Sequence, residues 1–155
     1  MSTDPGVTAP LSSERGYVFD SFAILALLDG EPAADEVAGL LATDGAYLLM
    51  TYVNLGEVLY TVMRERSDDQ ADVTLLALEA TNLTFVPADR TLTLEAAHLK
   101  ARHRISYADA YCAALARLTG FALVTGDPEF RQLEGEVPLR WLPGPTEPPP
   151  PPAAS

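Results

Sequence analysis

The sequence predicts an α/β fold of three layers (α/β/α), in which a parallel sheet of four to five strands lies between helices. Two observations support this. Short apolar runs alternate along the chain with longer segments whose apolar residues recur every three to four positions, as on one face of a helix. The short runs are apolar throughout, which is typical of strands that are buried on both faces of a parallel sheet.

The start and stop signals of each element agree with this alternation. Ser67 and Ser106 precede helical segments as N-caps, Pro32 suits the first turn of a helix, and Gly30 and Gly120 follow helix ends. In chain order we predict a strand at 17–19, helices at 21–30 and 32–45, a strand at 46–51, helices at 54–65 and 68–80, a strand at 83–86, helices at 92–102 and 107–120, and strands at 121–125 and 139–142.

The folded domain is predicted to span residues 17–142. Residues 1–16 are polar and are expected to be a flexible leader, and the proline-rich residues 143–155 are expected to be a disordered tail. No apolar run is long enough to cross a bilayer, and the N-terminus lacks the basic start and apolar middle of a signal peptide. We therefore expect a cytoplasmic protein that makes no membrane contact.

The chain is strongly acidic, with 10 basic and 22 acidic residues and a net charge of −12. A net negative charge disfavours nucleic acid as a partner, since the phosphate backbone attracts basic surfaces. The common explanation of such a charge is solubility. The single cysteine, Cys112, lies among alanines and is predicted to be a small buried hydrophobe. His98 and His103 lack the spacing of zinc ligands and are predicted to be ordinary helix or surface residues.

Four acidic residues are candidate metal ligands: Asp20, Glu57, Asp109 and Asp127. Asp20 and Asp127 directly follow predicted strands, and ligands of parallel sheets collect beyond the carboxyl ends of the strands. Carboxylates that lie close together cannot all stay ionised unless a cation neutralises them. Ligand oxygens without histidine or cysteine suit Mg²⁺ or Mn²⁺ rather than zinc.

Each of these acids also has a purely structural explanation, and local sequence does not decide between the two. Asp20 and Asp127 are good N-caps of the helices that follow them. Asp109 stands three residues after Ser106, an arrangement that resembles a capping box. Glu57 lies on the helix face opposite its apolar residues, where a solvated glutamate is usually found.

Three segments together resemble the PIN-domain family, and most closely its VapC-like toxins: YVFDSFAILALLDGEP, MTYVNLGEVLY and ISYADAYCAALARLTGFALVTGDPEF. The second segment resembles the family's Asn-x-x-Glu motif with Asn54 and Glu57. The third, the most specific, places Asp109 at the start of an alanine-rich helix and ends in a strand and turn with Thr125, Gly126, Asp127 and Phe130. The chain departs from the family at Phe22, where members often carry Ser or Asn.

This resemblance implies a metal-dependent endoribonuclease that hydrolyses RNA with one or two Mg²⁺ or Mn²⁺ ions. It implies that Asp20, Asp109 and Asp127 hold the metal, and that Glu57 is a further ligand or a base that orients water. Asn54 and Thr125 would hydrogen-bond the carboxylates or the substrate. It also implies the toxin of a type II toxin–antitoxin pair, which forms a homodimer and binds a small antitoxin whose basic segment enters the acidic cleft.

The densest basic stretch of the chain contains Lys100, Arg102 and Arg104, and it precedes the helix of Asp109. These side chains either contact RNA phosphates or stabilise the dipole at a helix end. Two other functions stay open: a PIN nuclease in RNA processing that has no antitoxin, and a catalytically inactive binding module. A receiver-like domain is disfavoured, because it requires a lysine after a later strand and the only lysine precedes the Asp109 helix.

Overall fold

A computed structural model of the chain describes residues 15–144, and the structural statements below concern this part. Strands and helices alternate in the order β1 (Gly16–Phe19), α1 (Ser21–Leu28), α2 (Ala34–Leu41), β2 (Tyr47–Thr51), α3 (Tyr52–Glu65), α4 (Asp68–Glu79), β3 (Thr84–Val86), α5 (Arg90–Arg102), α6 (Tyr107–Thr119), β4 (Ala122–Thr125), a 3₁₀ helix (Pro128–Leu133) and β5 (Leu139–Trp141). None of the helices in this part is long and apolar enough to cross a membrane.

The sheet has five parallel strands in the order β3-β2-β1-β4-β5, so the first strand lies at its centre. The register aligns the carboxyl ends of the strands. Phe19 pairs with Val124, and Thr125 pairs with Trp141. The residues that follow β1 and β4 therefore emerge side by side at one edge of the sheet, as the sequence predicts. We call this edge the carboxyl edge.

Helices cover both faces of the sheet and give the predicted three layers. Val18 and Phe19, neighbours in β1, are fully buried in different hydrophobic clusters because successive side chains of a strand point to opposite faces. The Phe19 cluster draws on α1 to α4, and the Val18 cluster on α5, α6 and the 3₁₀ helix. Strands of three to five residues contribute little apolar side-chain surface. Most of the buried apolar surface therefore comes from the helices.

The helix ends confirm several sequence predictions and correct two. Ser67 and Ser106 are N-caps, and Gly120 ends α6 in the left-handed conformation at φ 77°. Pro32 is not in the first turn of α2, because Ala34 N donates to Glu31 O (2.8 Å) and closes a turn that precedes the helix. The α5 helix begins two residues earlier than predicted.

The early start of α5 has a local cause. The side chain of Asp89 accepts a hydrogen bond from Leu92 N (2.9 Å) and so caps the helix. Most other bounds differ from the predicted ones by one or two residues at an end. The boundaries at 16 and 142 stay predictions, since the expected leader and tail lie almost wholly outside the described residues. Gly16, placed in the leader by the sequence, already belongs to β1.

Candidate functional site

Asp20 is the most buried acid of the site, with 1% of its surface exposed. It directly follows β1 and caps α1, because its Oδ1 accepts a hydrogen bond from Ala23 N at 2.8 Å. Its Oδ2 is also buried and has no hydrogen-bond partner among the described residues. Capping therefore explains one oxygen only. The other is a buried polar atom that is unfavourable unless a proton or a cation satisfies it.

The environment of Asp20 opposes its negative charge. Burial raises the pKa of this carboxyl to about 7, although the Thr125 hydroxyl and the Ala23 N–H favour the charged form and lower it. The negative charges of Asp109 and Asp127 raise it further. Asp20 therefore lies close enough to Asp109 and Asp127 for their charges to affect it.

Asp109 lies in the first turn of α6 and is half-buried. Ser106 Oγ accepts a hydrogen bond from Asp109 N (3.1 Å), but the Asp109 carboxylate does not bond the Ser106 N–H in return. The suggested capping box is therefore only half formed. Burial raises the pKa of Asp109 to about 6, and the charges of Asp127 and Glu57 contribute to the increase. The Ser106 side chain favours the charged form and lowers this pKa in part.

Asp127 occupies the turn after β4 and caps the 3₁₀ helix, with Oδ1 accepting from Glu129 N at 2.9 Å. Thr125, which is fully buried, accepts a hydrogen bond from Asp127 N through Oγ1 (3.0 Å) and fixes the turn. Glu129 was not among the predicted site residues. One carboxylate oxygen each of Asp109, Asp127 and Glu129 lies within 4.8 Å of the others, a spacing that suits a shared cation.

The environment of Glu57 differs from that of the solvated surface glutamate that its helix face suggested. It is half-buried rather than solvated, and its charge is close enough to raise the pKa of Asp109. The start of α3 packs against α6, so the polar face of the helix points toward the other acids. Tyr60 OH donates a long hydrogen bond of 3.5 Å to Glu57 Oε2. The site therefore contains five acids: Asp20, Glu57, Asp109, Asp127 and Glu129.

Asn54 is fully buried and connects three helix starts. Its Nδ2 donates to Ala108 O (3.1 Å) in α6 and to Ser21 Oγ (3.4 Å) in α1, and its Oδ1 accepts from Thr51 Oγ1. Ser21 Oγ in turn donates to Asn54 O (3.2 Å). Since these partners occupy the amide, Asn54 positions the backbone beside Asp109 and does not bond the carboxylates as the sequence suggested.

Phe22 stands where a polar residue was expected from the family pattern. Its ring packs against the backbone of Gly126, in the turn between β4 and Asp127, so closely that a Cβ at position 126 would overlap the ring. The neighbouring Ser21 is polar, and its hydroxyl bonds Asn54. A side chain at position 126 would therefore require the ring of Phe22 to move.

The basic stretch covers the last turn of α5, which contains Lys100 and Arg102, and the segment before α6, which contains Arg104. Lys100 Nζ donates to Ile105 O (2.6 Å), and Arg102 Nη1 donates to His98 Nδ1 (2.8 Å) and His98 O (3.1 Å), so both stabilise the end of α5. Among the described residues, the guanidinium of Arg104 has no ion-pair or hydrogen-bond partner. The two hypotheses for the basic stretch therefore apply to different residues. Contacts at the helix end account for Lys100 and Arg102, and Arg104 remains available to a ligand.

The remaining sequence candidates have structural explanations. Cys112 is fully buried, and burial raises the pKa of its thiol, which disfavours a reactive thiolate. His103 Nε2 lies 2.8 Å from Glu136 Oε2, and His98 bonds Arg102. Neither histidine belongs to the acidic cluster found in the described part of the chain.

Three of the five acids, Asp109, Asp127 and Glu129, have carboxylate oxygens close enough together to share a cation, and Asp20 and Glu57 lie outside that group. The buried Oδ2 of Asp20 has no partner among the described residues, and burial, followed by the neighbouring carboxylates, raises the pKa of Asp109, so a cation here would offset unfavourable charge. The donors are all carboxylate oxygens, which suit hard cations such as Mg²⁺ and Mn²⁺. In Asp20 and Asp127 the capping hydrogen bond is accepted by Oδ1, which leaves Oδ2 outside the cap.

Comparison with known proteins identifies a family and several solved structures of similar fold. The family model described as "PIN domain" matches residues 17–136. None of the curated proteins matches the sequence significantly. Among solved structures, VapBC2 from Rickettsia felis, bound to a DNA fragment from its promoter, is similar with a TM-score of 0.68 and 17% identity over 83% of this chain and 99% of the other.

Two further structures show the same fold. VapC20 from Mycobacterium tuberculosis, described as a toxin that cleaves the sarcin–ricin loop, has a TM-score of 0.65 and 19% identity over 80% of this chain and 98% of that one. DNA-bound VapBC from Salmonella typhimurium has a TM-score of 0.65 and 14% identity, covering 81% and 97% of the two chains.

Proposed function

This chain belongs to the PIN-domain family, and on that premise we propose that it is a metal-dependent endoribonuclease which hydrolyses phosphodiester bonds of RNA. The observation that carries the proposal is the group of three carboxylates, Asp109, Asp127 and Glu129, within 4.8 Å of one another, together with the buried, unpartnered Oδ2 of Asp20, whose carboxyl is affected by the charges of Asp109 and Asp127. Helix capping alone would not require so much negative charge in one place.

We assign separate tasks to the acids. Asp20, Asp109 and Asp127 would hold Mg²⁺ or Mn²⁺, with Glu129 at the exposed side and Glu57 at the start of α3. A divalent cation at this position would neutralise charge on the phosphate and lower the pKa of a bound water. Glu57 would accept a proton from the attacking water as its oxygen bonds to phosphorus and the bond to the leaving oxygen breaks.

Supporting residues would keep these acids in place. Thr125 fixes the turn of Asp127, and Asn54 holds the backbone before Asp109. Both are fully buried, so their hydrogen bonds are shielded from water and strongly favour one arrangement. Rigid placement of ligands by such bonds is what a hydrolytic site needs, because misplacement of the acids reduces the rate steeply.

We further propose that the chain is the toxin of a type II toxin–antitoxin pair in the cytoplasm. The similar solved structures are VapBC assemblies or a VapC toxin, and one of those toxins is described as cleaving the sarcin–ricin loop. By analogy this chain would cut RNA, form a homodimer and bind a small antitoxin. A basic antitoxin segment would complement a cleft that contains five carboxylates.

The direct test is cleavage of RNA by the purified chain with Mg²⁺ or Mn²⁺ and with EDTA. We expect cleavage by the wild type that requires the metal, and loss of cleavage in Asp109→Asn. The matched control is Asp44→Asn, an exposed acid before β2 at the opposite edge of the sheet, which should cleave normally. Equal activity of Asp109→Asn and wild type would refute the site assignment.

A second experiment addresses the toxin proposal. Expression of the wild type should arrest growth, and expression of Asp109→Asn should not. Co-expression of a short open reading frame adjacent to the gene should restore growth. If the wild type cleaves RNA in vitro but its expression is harmless, the nuclease proposal stands and the chain is not a toxin.

A further inference from the structure

A cavity of about 360 Å³ lies between α5, α6 and the segment that precedes β5. This volume is at the small end of the range found for small-molecule sites. Four lining residues follow one face of α5 at helical spacing, one comes from the last turn of α6, and one precedes β5: Glu95, His98, Leu99, Arg102, Arg117 and Glu136. It is called the α5–α6 cavity below.

The α5–α6 cavity is separate from the carboxylate site. None of the five acids of that site lines it. Asp109 lies in the first turn of α6 and Arg117 in the last, so the two are about 12 Å apart along the helix axis. Leu99 is 1% exposed, and the other lining side chains carry charges or hydrogen-bonding groups. The cavity therefore suits a polar ligand.

Two arginines supply positive charge to the cavity. Arg102 Nη1 donates to Nδ1 (2.8 Å) and to the carbonyl oxygen (3.1 Å) of His98, and among the described residues Arg102 pairs with no carboxylate. Arg117 Nη1 lies 3.4 Å from Glu95 Oε1, farther than the roughly 2.7–2.9 Å of a charge-assisted hydrogen bond. Each guanidinium has five N–H donors, so both arginines retain donors for a ligand.

His98 adds an uncharged donor. An arginine can only donate, so Nδ1 of His98 is the acceptor in its contact with Arg102, and the neutral ring carries its proton on Nε2. In the described part of the chain this Nε2–H meets no acceptor. It can therefore donate to an oxygen of a ligand in the cavity.

Glu95 and Glu136 restrict the kind of anion that fits. Their carboxylates repel a bare anion but accept hydrogen bonds from hydroxyl or amino groups. His103 Nε2 lies 2.8 Å from Glu136 Oε2, which leaves Oε1 of Glu136 outside this contact. A ligand with an acidic group at one end and hydroxyl or amino groups at the other satisfies both the arginines and the glutamates.

Paired guanidinium groups bind phosphate through forked hydrogen bonds. We propose that the α5–α6 cavity binds a small phosphomonoester that also carries hydroxyl or amino groups, as a nucleoside monophosphate does. Arg102, Arg117 and His98 bind the phosphate. Glu95 and Glu136 accept hydrogen bonds from the hydroxyl or amino groups. This site is independent of the proposed ribonuclease function.

Calorimetric titration of the full chain tests the proposal. The probes are AMP, GMP, CMP and UMP, with inorganic phosphate and adenosine for comparison, all in EDTA so that no metal at the carboxylate site captures phosphate. We expect at least one nucleoside monophosphate to bind about tenfold more tightly than inorganic phosphate or adenosine. Absence of saturable binding by all four nucleotides, or equally tight binding of inorganic phosphate, overturns the proposal.

The two histidines of the chain report where binding occurs. His98 lines the cavity, and His103 contacts Glu136, which also lines it. In NMR spectra of the wild type, we expect the ring signals of both histidines to shift as the nucleotide saturates the chain. Saturable binding that leaves both rings unchanged would place the ligand elsewhere and contradict the assignment.

Substitutions examine the lining residues. Arg102→Ala and Arg117→Ala should each weaken nucleotide binding about tenfold, because each removes charge-assisted hydrogen bonds. Arg102→Lys keeps the charge without the fork and should lose less. Glu95→Gln should reduce the preference for the nucleotide over inorganic phosphate, since the bare anion is then repelled less.

Arg90→Ala, at the exposed first position of α5, is the matched control and should bind like the wild type. Thermal unfolding verifies the fold of each variant, and Arg102→Lys together with the wild-type NMR titration keeps the test valid if an alanine variant is unstable. If folded Arg102→Ala and Arg117→Ala bind the nucleotide as tightly as the wild type, the proposal is wrong.

Discussion

The side-chain amide of Asn54 donates a 3.1 Å hydrogen bond to the carbonyl of Ala108, the residue immediately before Asp109. This bond links α3, which carries Glu57, to α6, which carries Asp109. A second bond from the same amide reaches Ser21, next to Asp20. One buried side chain therefore sets the mutual placement of three proposed catalytic acids without contacting any of them.

Asn54→Ala should reduce both stability and the rate of cleavage. Removing the amide leaves the buried Ser21 hydroxyl and Ala108 carbonyl without this partner, which costs about 1–3 kcal/mol of the free energy of unfolding. Because Asp109 is then less well fixed, we expect kcat to fall about tenfold or more with a smaller change in KM. Urea unfolding and steady-state cleavage measure the two effects. Asn82→Ala, at an exposed position, is the control, and an unchanged kcat in Asn54→Ala would contradict the positioning role.

The raised pKa of Asp20 makes stability depend on pH. Its pKa is about 7 in the folded chain and about 3.9 when unfolded, so the folded state binds more protons between these values. Its contribution is therefore favourable at acidic pH and is lost as the pH rises through this window. In EDTA at pH 8, Asp20→Asn should exceed the wild type in free energy of unfolding by about 2–4 kcal/mol, because no charge is buried.

At pH 4 the same two proteins should be almost equally stable, since the carboxyl of the folded wild type is then protonated. Urea unfolding at pH 4, 6 and 8 measures the difference, and Asp44→Asn provides the control for loss of an exposed charge. A difference between Asp20→Asn and wild type that does not change with pH would show that Asp20 does not titrate in this range.

Divalent metal should stabilise the folded chain, and Glu129 should contribute to the effect. A ligand at one hundred times its Kd adds about 2.7 kcal/mol to the free energy of unfolding. We expect Mn²⁺ to raise the Tm of the wild type, to have no effect on Asp109→Asn, and to bind Glu129→Gln several times more weakly than the wild type. The control is Glu134→Gln, an exposed acid just after the same 3₁₀ helix. Identical titrations of Glu129→Gln and wild type would place Glu129 outside the metal site.

Arg104 should contribute a modest phosphate contact. Its backbone is fixed by Gln132, whose Oε1 accepts from Arg104 N (3.0 Å) and whose Nε2 donates to Arg104 O (3.3 Å), and Gln132 belongs to the 3₁₀ helix that Asp127 caps. Replacing Arg102 and Arg104 by Ala should weaken RNA binding and reduce the slope of log K against log salt by about 1–2. Anisotropy titrations from 50 to 200 mM salt test this, with Arg90→Ala at the other end of α5 as control. If the slope is unchanged, the basic stretch serves only α5.

The sequence predicted the architecture well because its signals are local. Apolar runs such as the one at 121–125 mark buried strands, and Ser67 and Ser106 mark helix starts through bonds to residues three positions away. Asp20 and Asp127 could be placed at one edge because parallel strands share their direction. These inferences need only the spacing of the apolar residues and the common direction of parallel strands.

The site residues that depend on contacts between distant segments were harder to predict. Glu57 lies on a polar helix face, and only the packing of α3 against α6 shows that this face is turned toward Asp109. The partners of Asn54 lie 33 and 54 positions away. Glu129 was missed although it stands two residues after Asp127, because the geometry of the 3₁₀ turn decides which oxygens meet.

The contact between Phe22 and Gly126 has a consequence for how this sequence can diverge. A side chain at position 126 requires either that the Phe22 ring moves or that the residue at position 22 is smaller than phenylalanine. Homologues with Ser or Asn at position 22 should therefore accept larger residues at position 126, and those with an aromatic residue should retain glycine. The two positions, 104 residues apart, are expected to covary, and the exchange of both together should succeed where the replacement of Gly126 alone fails.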